Sequence, residues 1–301
     1  MSMKRSTLWL WILGGGGGCV FILLCLLALA LYFTSGRSPG LPLSGGQIAV
    51  LDLEGTLVDS RAFIEQLETF GSRPGVRSVV VRINSPGGGV AASQEIHEAI
   101  VKFRSETDKK VIVSMASVAA SGGYYVACAA DTIFANPGSI TGSIGVIMNW
   151  YNYGDLLEWA KLRNIVIKTG PFKDAGSSTR PLTDEEQVYF QSLADSICGQ
   201  FVSAVALGRD MTEDAVRLLA DGRVFTGQQA HSLGLVDRIG TYQDAIEEAA
   251  LVAGIKGKPR IVRPYRKSLS LLDFLLGDLQ SVLLQNSDRS ESHIRFEYLW
   301  R

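Results

Sequence analysis

Ser121 is the residue best suited to nucleophilic chemistry, because it follows a β-branched apolar run and precedes two glycines in VIVSMASVAASGGYY, Val111 to Tyr125. Such a run predicts a buried strand, and the small residues after it predict a tight turn into a helix near Ser121. That geometry exposes a hydroxyl where helix N–H groups stabilise an oxyanion. The pattern therefore predicts an acyl-transfer nucleophile, with close helix packing by small residues as the alternative.

A glycine-rich loop follows the preceding predicted strand. Asn84 to Gly89, NSPGGG, comes directly after SVVVRI and before a helix. Ligands of open α/β sheets bind beyond the carboxyl ends of the strands, where glycines bring backbone N–H groups close to a substrate. The loop is a candidate oxyanion hole or an ordinary strand-to-helix turn. It is not a phosphate-binding loop, because the Gly-Lys-Ser/Thr ending is missing.

A serine nucleophile needs a base, and two residues are candidates. His97 lies in the helix after the glycine loop, where a lone histidine is usually structural. Lys173 lies in TGPFKDAGSS, a loop composition that can place one side chain in a site. A lysine acts as a base only when its amine is uncharged, which requires desolvation or nearby positive charge. A solvated surface lysine is the alternative interpretation.

Charge and hydropathy give the cellular setting. The chain has 301 residues, 29 basic and 30 acidic, so it lacks the basic surplus of nucleic-acid binders. Leu8 to Phe33 contains no charged residue and is long enough to cross a bilayer. Lys4 and Arg5 precede this predicted anchor, which places residues 1–7 in the cytoplasm and the following chain outside it. A cleaved signal peptide is the alternative.

The cysteines and histidines indicate neither a disulfide framework nor a metal site. Cys19 and Cys25 fall in the predicted anchor, and Cys128 and Cys198 lie far apart in the remaining chain. We expect the latter two to be buried apolar fillers, and we expect no cofactor.

The chain after the anchor alternates predicted strands with predicted helices, which is typical of βαβ units around a parallel sheet. A linker over 34–46 leads to a domain over 47–257 and a helical tail over 258–301. Thr183 to Leu207 is predicted as a long helix with a capping box at Glu186. Ile165 to Lys168 is a further strand candidate. Ser270 to Leu284 is an amphipathic helix expected to pack on its own domain, with a neighbouring subunit or the membrane surface as alternatives. The other predicted strands are Ile48 to Leu53, Ser78 to Ile83, Val111 to Met115 and Thr132 to Ala135, and the other predicted helices are Ser60 to Phe70, Ala91 to Arg104, Ser121 to Ala130, Thr212 to Ala220, Gly227 to Ser232 and Thr241 to Ala253.

Four motifs, in order, resemble those of SppA-type signal peptide peptidases, in their short single-domain bacterial form. They are VRINSPGGGV, SMASVAASGGYYVACAADTIFANPGSITGSIGVI, IKTGPFKDAG and DGRVFTGQQAHSLGLVDRIG. The resemblance covers roughly Gln47 to Ala253. It implies an α/β fold of the Clp-protease and crotonase type, a spiral of βαβ units with a parallel sheet.

The resemblance also implies roles for particular residues. Ser121 would be the nucleophile and Lys173 the general base. Ser143, in ITGSIG, would hydrogen-bond the lysine and orient it, and the N–H groups of Gly88 and Gly122 would form the oxyanion hole. No acidic third member is needed, because an amine has no tautomer to fix.

The resemblance implies a membrane-anchored serine endopeptidase that degrades cleaved signal peptides and other membrane-proximal peptides. It would reside in the bacterial inner membrane as a single-pass protein with its catalytic domain outside the cytoplasm. Its subunits would form a ring-like homo-oligomer in which neighbouring chains can supply Ser121 and Lys173 of one site. The 52-residue separation of Ser121 and Lys173 fits a pairing within one chain as well as a pairing between chains. The alternatives are a protease acting on stomatin-like partners, a crotonase-like acyl-CoA enzyme and a peptide-binding scaffold.

Overall fold

The computed structural model describes residues 46–264 and 296–299, together with Leu26. The strands are β1 (Gln47–Glu54), β2 (Val76–Ser85), β3 (Gly87–Gly89), β4 (Lys110–Ala120), β5 (Thr132–Ala135), β6 (Ile140–Gly142), β7 (Ile147–Met148), β8 (Val224–Thr226), β9 (Arg238–Ile239), β10 (Arg260–Val262) and β11 (Phe296–Leu299). The helices are α1 (Arg61–Gly71), α2 (Val90–Glu106), α3 (Gly122–Ala127), α4 (Gly154–Trp159), α5 (Asp184–Arg209), α6 (Glu213–Arg217), α7 (Gly227–Ser232) and α8 (Tyr242–Val252), with a 3-10 turn at Pro171–Asp174.

The main sheet is mostly parallel and has the order β10-β1-β2-β4-β5-β9. Valine and isoleucine fill β1, β2 and β4, and their side chains are buried on both faces because helices cover the sheet from both sides. One face meets α1, α2, α3 and α5, and the other meets α8. The predicted α/β class is confirmed, and the arrangement fits a Clp/crotonase-like fold.

The carboxyl end of β4 is longer than its hydrophobic run predicts. Beyond Met115 the strand continues to Ala120 and pairs with β6, with Ala119 opposite Thr141 and Ala120 opposite Gly142. β8 then pairs with β6 in the antiparallel direction. This extension brings the residues that follow β4 and β6 to one place.

A second, smaller sheet has the order β3-β11-β7. β11 lies between the glycine strand β3 and β7, antiparallel to both. The domain thus extends beyond Gly257, because β10 pairs with β1 and β11 pairs with β3.

Most predicted helices and strands are confirmed, including the capping box of Thr183 and Glu186. The strand predicted at Ile165 to Lys168 is wrong, because this segment pairs with no described strand and Ile167 is 98% exposed. β-propensity alone did not produce a strand where no neighbouring strand offered a ladder. The helix predicted from Ser121 to Ala130 is shorter, and Ser121 is its N-cap.

Apart from Leu26, the predicted anchor at Leu8 to Phe33 lies outside the described residues, as does the predicted helix at Ser270 to Leu284. Within the part of the chain that is described, no helix combines the length and the apolar character needed to cross a membrane.

Candidate active site

Ser121 occupies a strained turn between β4 and α3. Its backbone has φ 52° and ψ −118°, a conformation that side-chain-bearing residues rarely adopt. Two hydrogen bonds hold it: the Ser121 N–H donates to Gly142 O at 2.8 Å, and the Tyr125 N–H donates to Ser121 O at 2.8 Å. A serine on such a strand-to-helix turn is the arrangement that presents a nucleophilic hydroxyl in α/β hydrolases.

Ser143 lies beside Ser121, as the register of β4 and β6 requires. Ala120 of β4 lies opposite Gly142 of β6, and the two serines are the next residues along the chain after these strands. Ser143, like Ser121, has a positive φ of 52°. Both side chains are buried, and both serines line one pocket together with Leu299. The structure therefore brings two of the predicted site residues together.

The glycines of β3 allow a close backbone approach to this turn. A methyl group on Gly87, which has φ +102°, would lie 1.9 Å from Tyr298 O and 2.7 Å from Gly122 N. A methyl group on Gly122 would lie 3.2 Å from Gly88 N. The two predicted oxyanion-hole residues, Gly88 and Gly122, are thus neighbours, and only glycine fits at this approach.

Hydrogen bonding to Leu57 fixes the direction of the Gly88 N–H. The Leu57 N–H donates to Gly87 O at 2.9 Å, and the Gly89 N–H donates to Leu57 O at 2.8 Å. Successive residues of a strand present their backbone groups to opposite sides, so Gly88 faces away from Leu57. On that side Tyr298 of β11 lies directly opposite Gly88.

A groove lies between β3 and β7, and β11 fills it as an extended strand. The Tyr298 carbonyl oxygen lies close to Gly87, on the side of this glycine where Gly122 N also lies. The Tyr298 ring is buried, stacks on Tyr125 with centroids 5.3 Å apart, and contacts Phe201 at 4.8 Å. Its hydroxyl donates to Ile197 O at 3.1 Å, and burial raises the pKa of Tyr298. β11 is therefore an extended strand whose one described aromatic side chain lies in an aromatic pocket.

Lys173 does not join this pocket within one chain. It lies on the 3-10 turn Pro171–Asp174, where its side chain is exposed, and it is absent from the lining of the pocket that holds Ser121. Among the described residues, none forms a hydrogen bond or ion pair with the Lys173 amine. The adjacent Asp174 carboxylate is bound by Arg180 and Lys168.

The other predicted candidates lie elsewhere. The His97 ring contacts Tyr125 at 5.0 Å, burial lowers its pKa, and it does not line the Ser121 pocket. Cys128 is buried as expected, and burial raises the pKa of its thiol to about 12. Cys198 is half-buried and lines the Ser121 pocket.

Two groups escaped the sequence interpretation. Leu57 and Tyr298 flank β3, but they are far from it in sequence. The run Phe296 to Leu299 offers a weak strand signal in its aromatic and apolar residues. Nothing local indicates that it pairs with a strand some 200 residues away.

If Gly88 has its predicted oxyanion-hole role, Gly88→Ala should slow hydrolysis of an acyl substrate by about a hundredfold or more, the effect of losing one donor. The reason is steric: the added methyl group would lie 2.3 Å from Leu57 O and push the Gly88 N–H out of place. Initial rates on a quenched fluorescent peptide measure the effect. Gly138→Ala, whose methyl group meets nothing within 4 Å, is the control. Equal activities of the two variants would contradict this role of β3.

A strained serine on a strand-to-helix turn, beside a strand of three glycines, is typical of hydrolases that attack acyl carbonyls with a serine hydroxyl. Residues 103–256 match Peptidase family S49, which is just over half of the chain. The chain belongs to this family and is a serine peptidase.

Curated relatives agree with this assignment. A putative protease of Synechocystis sp. is 45% identical over 69% of this chain and 75% of its own length. A putative signal peptide peptidase SppA of Enterococcus faecium is 40% identical over 62% of this chain and 54% of its own length. Protease 4 of Salmonella typhi is 33% identical over 71% of this chain and 36% of its own length.

Proposed function

We propose that the chain is a membrane-anchored serine endopeptidase with a Ser121–Lys173 dyad. The uncharged Lys173 amine takes the Ser121 proton while Oγ attacks a peptide carbonyl carbon. The N–H groups of Gly88 and Gly122 hold the oxyanion, and the Lys173 ammonium returns the proton to the leaving amine. The Lys173 amine then activates a water molecule, which hydrolyses the acyl ester on Ser121. This step releases the peptide acid and restores the Ser121 hydroxyl.

The observation that carries this proposal is the position of β11. An extended segment pairs with β3, its Tyr298 carbonyl oxygen and Gly122 N both border the same side of Gly87, and Leu299 lines the Ser121 pocket. A peptide substrate bound in the same way would present a carbonyl to the oxyanion hole and its scissile bond to Ser121. Such addition of a strand to a sheet edge recognises main chain first and side chains second.

A neighbouring copy of the chain supplies Lys173 in this proposal. Lys173 does not line the Ser121 pocket within one chain, and most of the exposed large apolar side chains of the described residues fall between Ile147 and Tyr189. Ile165 is 85% exposed and Trp159 is 80% exposed, and an apolar surface of this kind is typical of protein interfaces. Repeated head-to-tail contacts through this surface would close a ring and complete every site.

The proposed substrates are cleaved signal peptides and other membrane-proximal peptides. The predicted anchor at Leu8 to Phe33 would hold the site near the outer face of a bacterial inner membrane. The printed name of the Enterococcus faecium relative, a putative signal peptide peptidase, supports the same substrate class. The aromatic pocket of Tyr125 and Phe201 matches peptides rich in large apolar residues.

A fluorophosphonate probe tests the nucleophile directly. Because the probe reacts with an activated serine, the full chain in detergent micelles should carry one covalent adduct, and peptide mapping should place it on Ser121. Ser203, a hydroxyl on the exposed face of α5, is the internal control. An assembled oligomer that hydrolyses peptides but carries its adduct on another serine would refute the assignment.

A further inference from the structure

A cluster of four alternating charges lies next to Lys173. It consists of Lys168, Asp174, Arg180 and Glu186, and we call it the Arg180 cluster. The Arg180 guanidinium donates to Asp174 Oδ1 at 2.9 Å and to Glu186 Oε2 at 2.8 Å. Lys168 Nζ also donates to Asp174 Oδ1, and Arg180 Nε donates to Asp174 Oδ2 at 3.2 Å. The Glu186 side chain is only 4% exposed, whereas the Arg180 side chain is 30% exposed and the Lys168 side chain is 34% exposed.

Arg180 also ties two pieces of backbone together. Its Nη2 donates to Asp174 O at 3.2 Å, at the end of the 3-10 turn that carries Lys173. Glu186, its other partner, closes the capping box of α5, because its Oε2 accepts from the Thr183 N–H at 3.0 Å. A planar guanidinium suits this geometry, since it can bind two carboxylates and a carbonyl at once. The Lys173 turn is thereby fixed to the first turn of a long helix.

The same contacts determine which charges Lys173 meets. A free carboxylate next to an amine favours the ammonium form and would weaken a general base. Asp174 is not free: hydrogen bonds from Arg180 and Lys168 hold its pKa at about 2, and hydrogen bonds from Arg180 hold the pKa of Glu186 at about 2. The charged groups bonded to this turn are Lys168 and Arg180, and Arg180 also binds Glu186. Glu158, Lys161 and Arg163 line one pocket with Asp174 and Arg180.

We propose that Arg180 is a positioning residue for the peptidase reaction: it anchors the turn that carries Lys173 to α5 and keeps the Asp174 carboxylate engaged away from the Lys173 amine. The inference rests on the proposed role of Lys173 as the general base. It assigns a task to a residue that contacts neither Ser121 nor the groove.

The test compares pH profiles of the full chain in detergent micelles, with a quenched fluorescent peptide as substrate. Arg180→Met should lower kcat about tenfold or more and leave KM within about twofold. It should also move the acid limb of kcat/KM up by about one pH unit, because Asp174 then stabilises the lysine ammonium. Adding Asp174→Asn to Arg180→Met should return the acid limb to its wild-type position, while kcat stays low because the anchor is still missing.

Two further variants keep the test decisive. Arg180→Lys retains the positive charge but lacks the planar guanidinium that binds two carboxylates at once. Its kcat and acid limb should lie between those of the wild type and Arg180→Met. This variant replaces Arg180→Met in the test if Arg180→Met does not fold. Arg209→Met is the matched control, because Arg209 at the other end of α5 makes a similar pair with Asp237, at 2.6 Å. It should lower the unfolding temperature and leave the acid limb unchanged.

The outcomes separate this inference from the proposed function. An unchanged kcat, or a loss of activity that is uniform across pH in both Arg180 variants, would show that Arg180 only stabilises the fold. Lys173→Ala is measured beside them. If Lys173→Ala retains activity, the proposed dyad itself is wrong, whereas an inactive Lys173→Ala with wild-type profiles for the Arg180 variants overturns this inference alone.

Discussion

Ser121→Ala and Lys173→Ala should each lower peptidase activity by at least about a thousandfold, and a mixture of the two inactive chains should recover part of it. Removing either member of a catalytic unit removes nearly all of its rate enhancement, since the two groups act together. Recovery follows from the proposed geometry. At some interfaces of a mixed ring, one chain offers an intact Ser121 and its neighbour an intact Lys173.

The mixing experiment needs both variants to exchange subunits, which co-expression of the two chains ensures. In random rings about a quarter of the interfaces join the two intact residues, so the mixture should reach about a quarter of wild-type activity at equal total protein, if the interfaces act independently. The double variant Ser121→Ala/Lys173→Ala, co-expressed with wild-type chain, is the control for dilution of sites. Co-expressed single variants that stay inactive although they form one oligomer would place Ser121 and Lys173 of each site on the same chain.

Local sequence identified the Ser121 turn because its cause is local. A β-branched run followed by alanine, serine and two glycines leaves few backbone choices, and the structure places Ser121 at the strained position between β4 and α3. The position of Ser143 could not be predicted from the residues around it in the sequence. Its position beside Ser121 depends on the β4 and β6 register, which only the motif resemblance indicated.

The sequence interpretation failed where pairing partners decide the structure. Ile165 to Lys168 has strand propensity, but no described strand lies beside it to complete a ladder. Phe296 to Leu299 fell in a segment predicted to be helical, yet it forms β11, since β3 and β7 supply two free edges. Edge pairing depends on chain segments far apart in sequence, so a local pattern does not reveal it.

The position of Lys173 could not be predicted for a different reason. The loop that carries Lys173 and the start of α5 could be predicted from the sequence. The loop composition of TGPFKDAGSS indicated the first, and Thr183 with Glu186 indicated the second. In the proposed ring, the distance between Lys173 and Ser121 depends on how copies of the chain assemble, and a single sequence carries no direct record of that.

Removal of residues 296–301 should raise kcat/KM for short peptides by about tenfold or more, mainly through a lower KM. β11 is tethered to the chain and lies in the groove that substrate would enter, so it competes at the high effective concentration that a tether provides. The rate of fluorophosphonate labelling at Ser121 should increase with it. The free peptide FEYLWR should inhibit the shortened chain competitively.

The same removal of residues 296–301 should lower the stability of the folded chain. Tyr298 is fully buried against Tyr125 and Phe201, so its loss leaves an aromatic-sized gap and costs about 3 kcal/mol of unfolding free energy. Deletion of residues 300–301 alone retains β11 and is the matched control, with wild-type KM and unfolding temperature expected. A shortened chain that loses stability while its KM and labelling rate stay at wild-type values would show that β11 is a structural strand and not an occupant of the groove. A lower KM together with lower stability would show that one strand both completes the fold and limits access to Ser121.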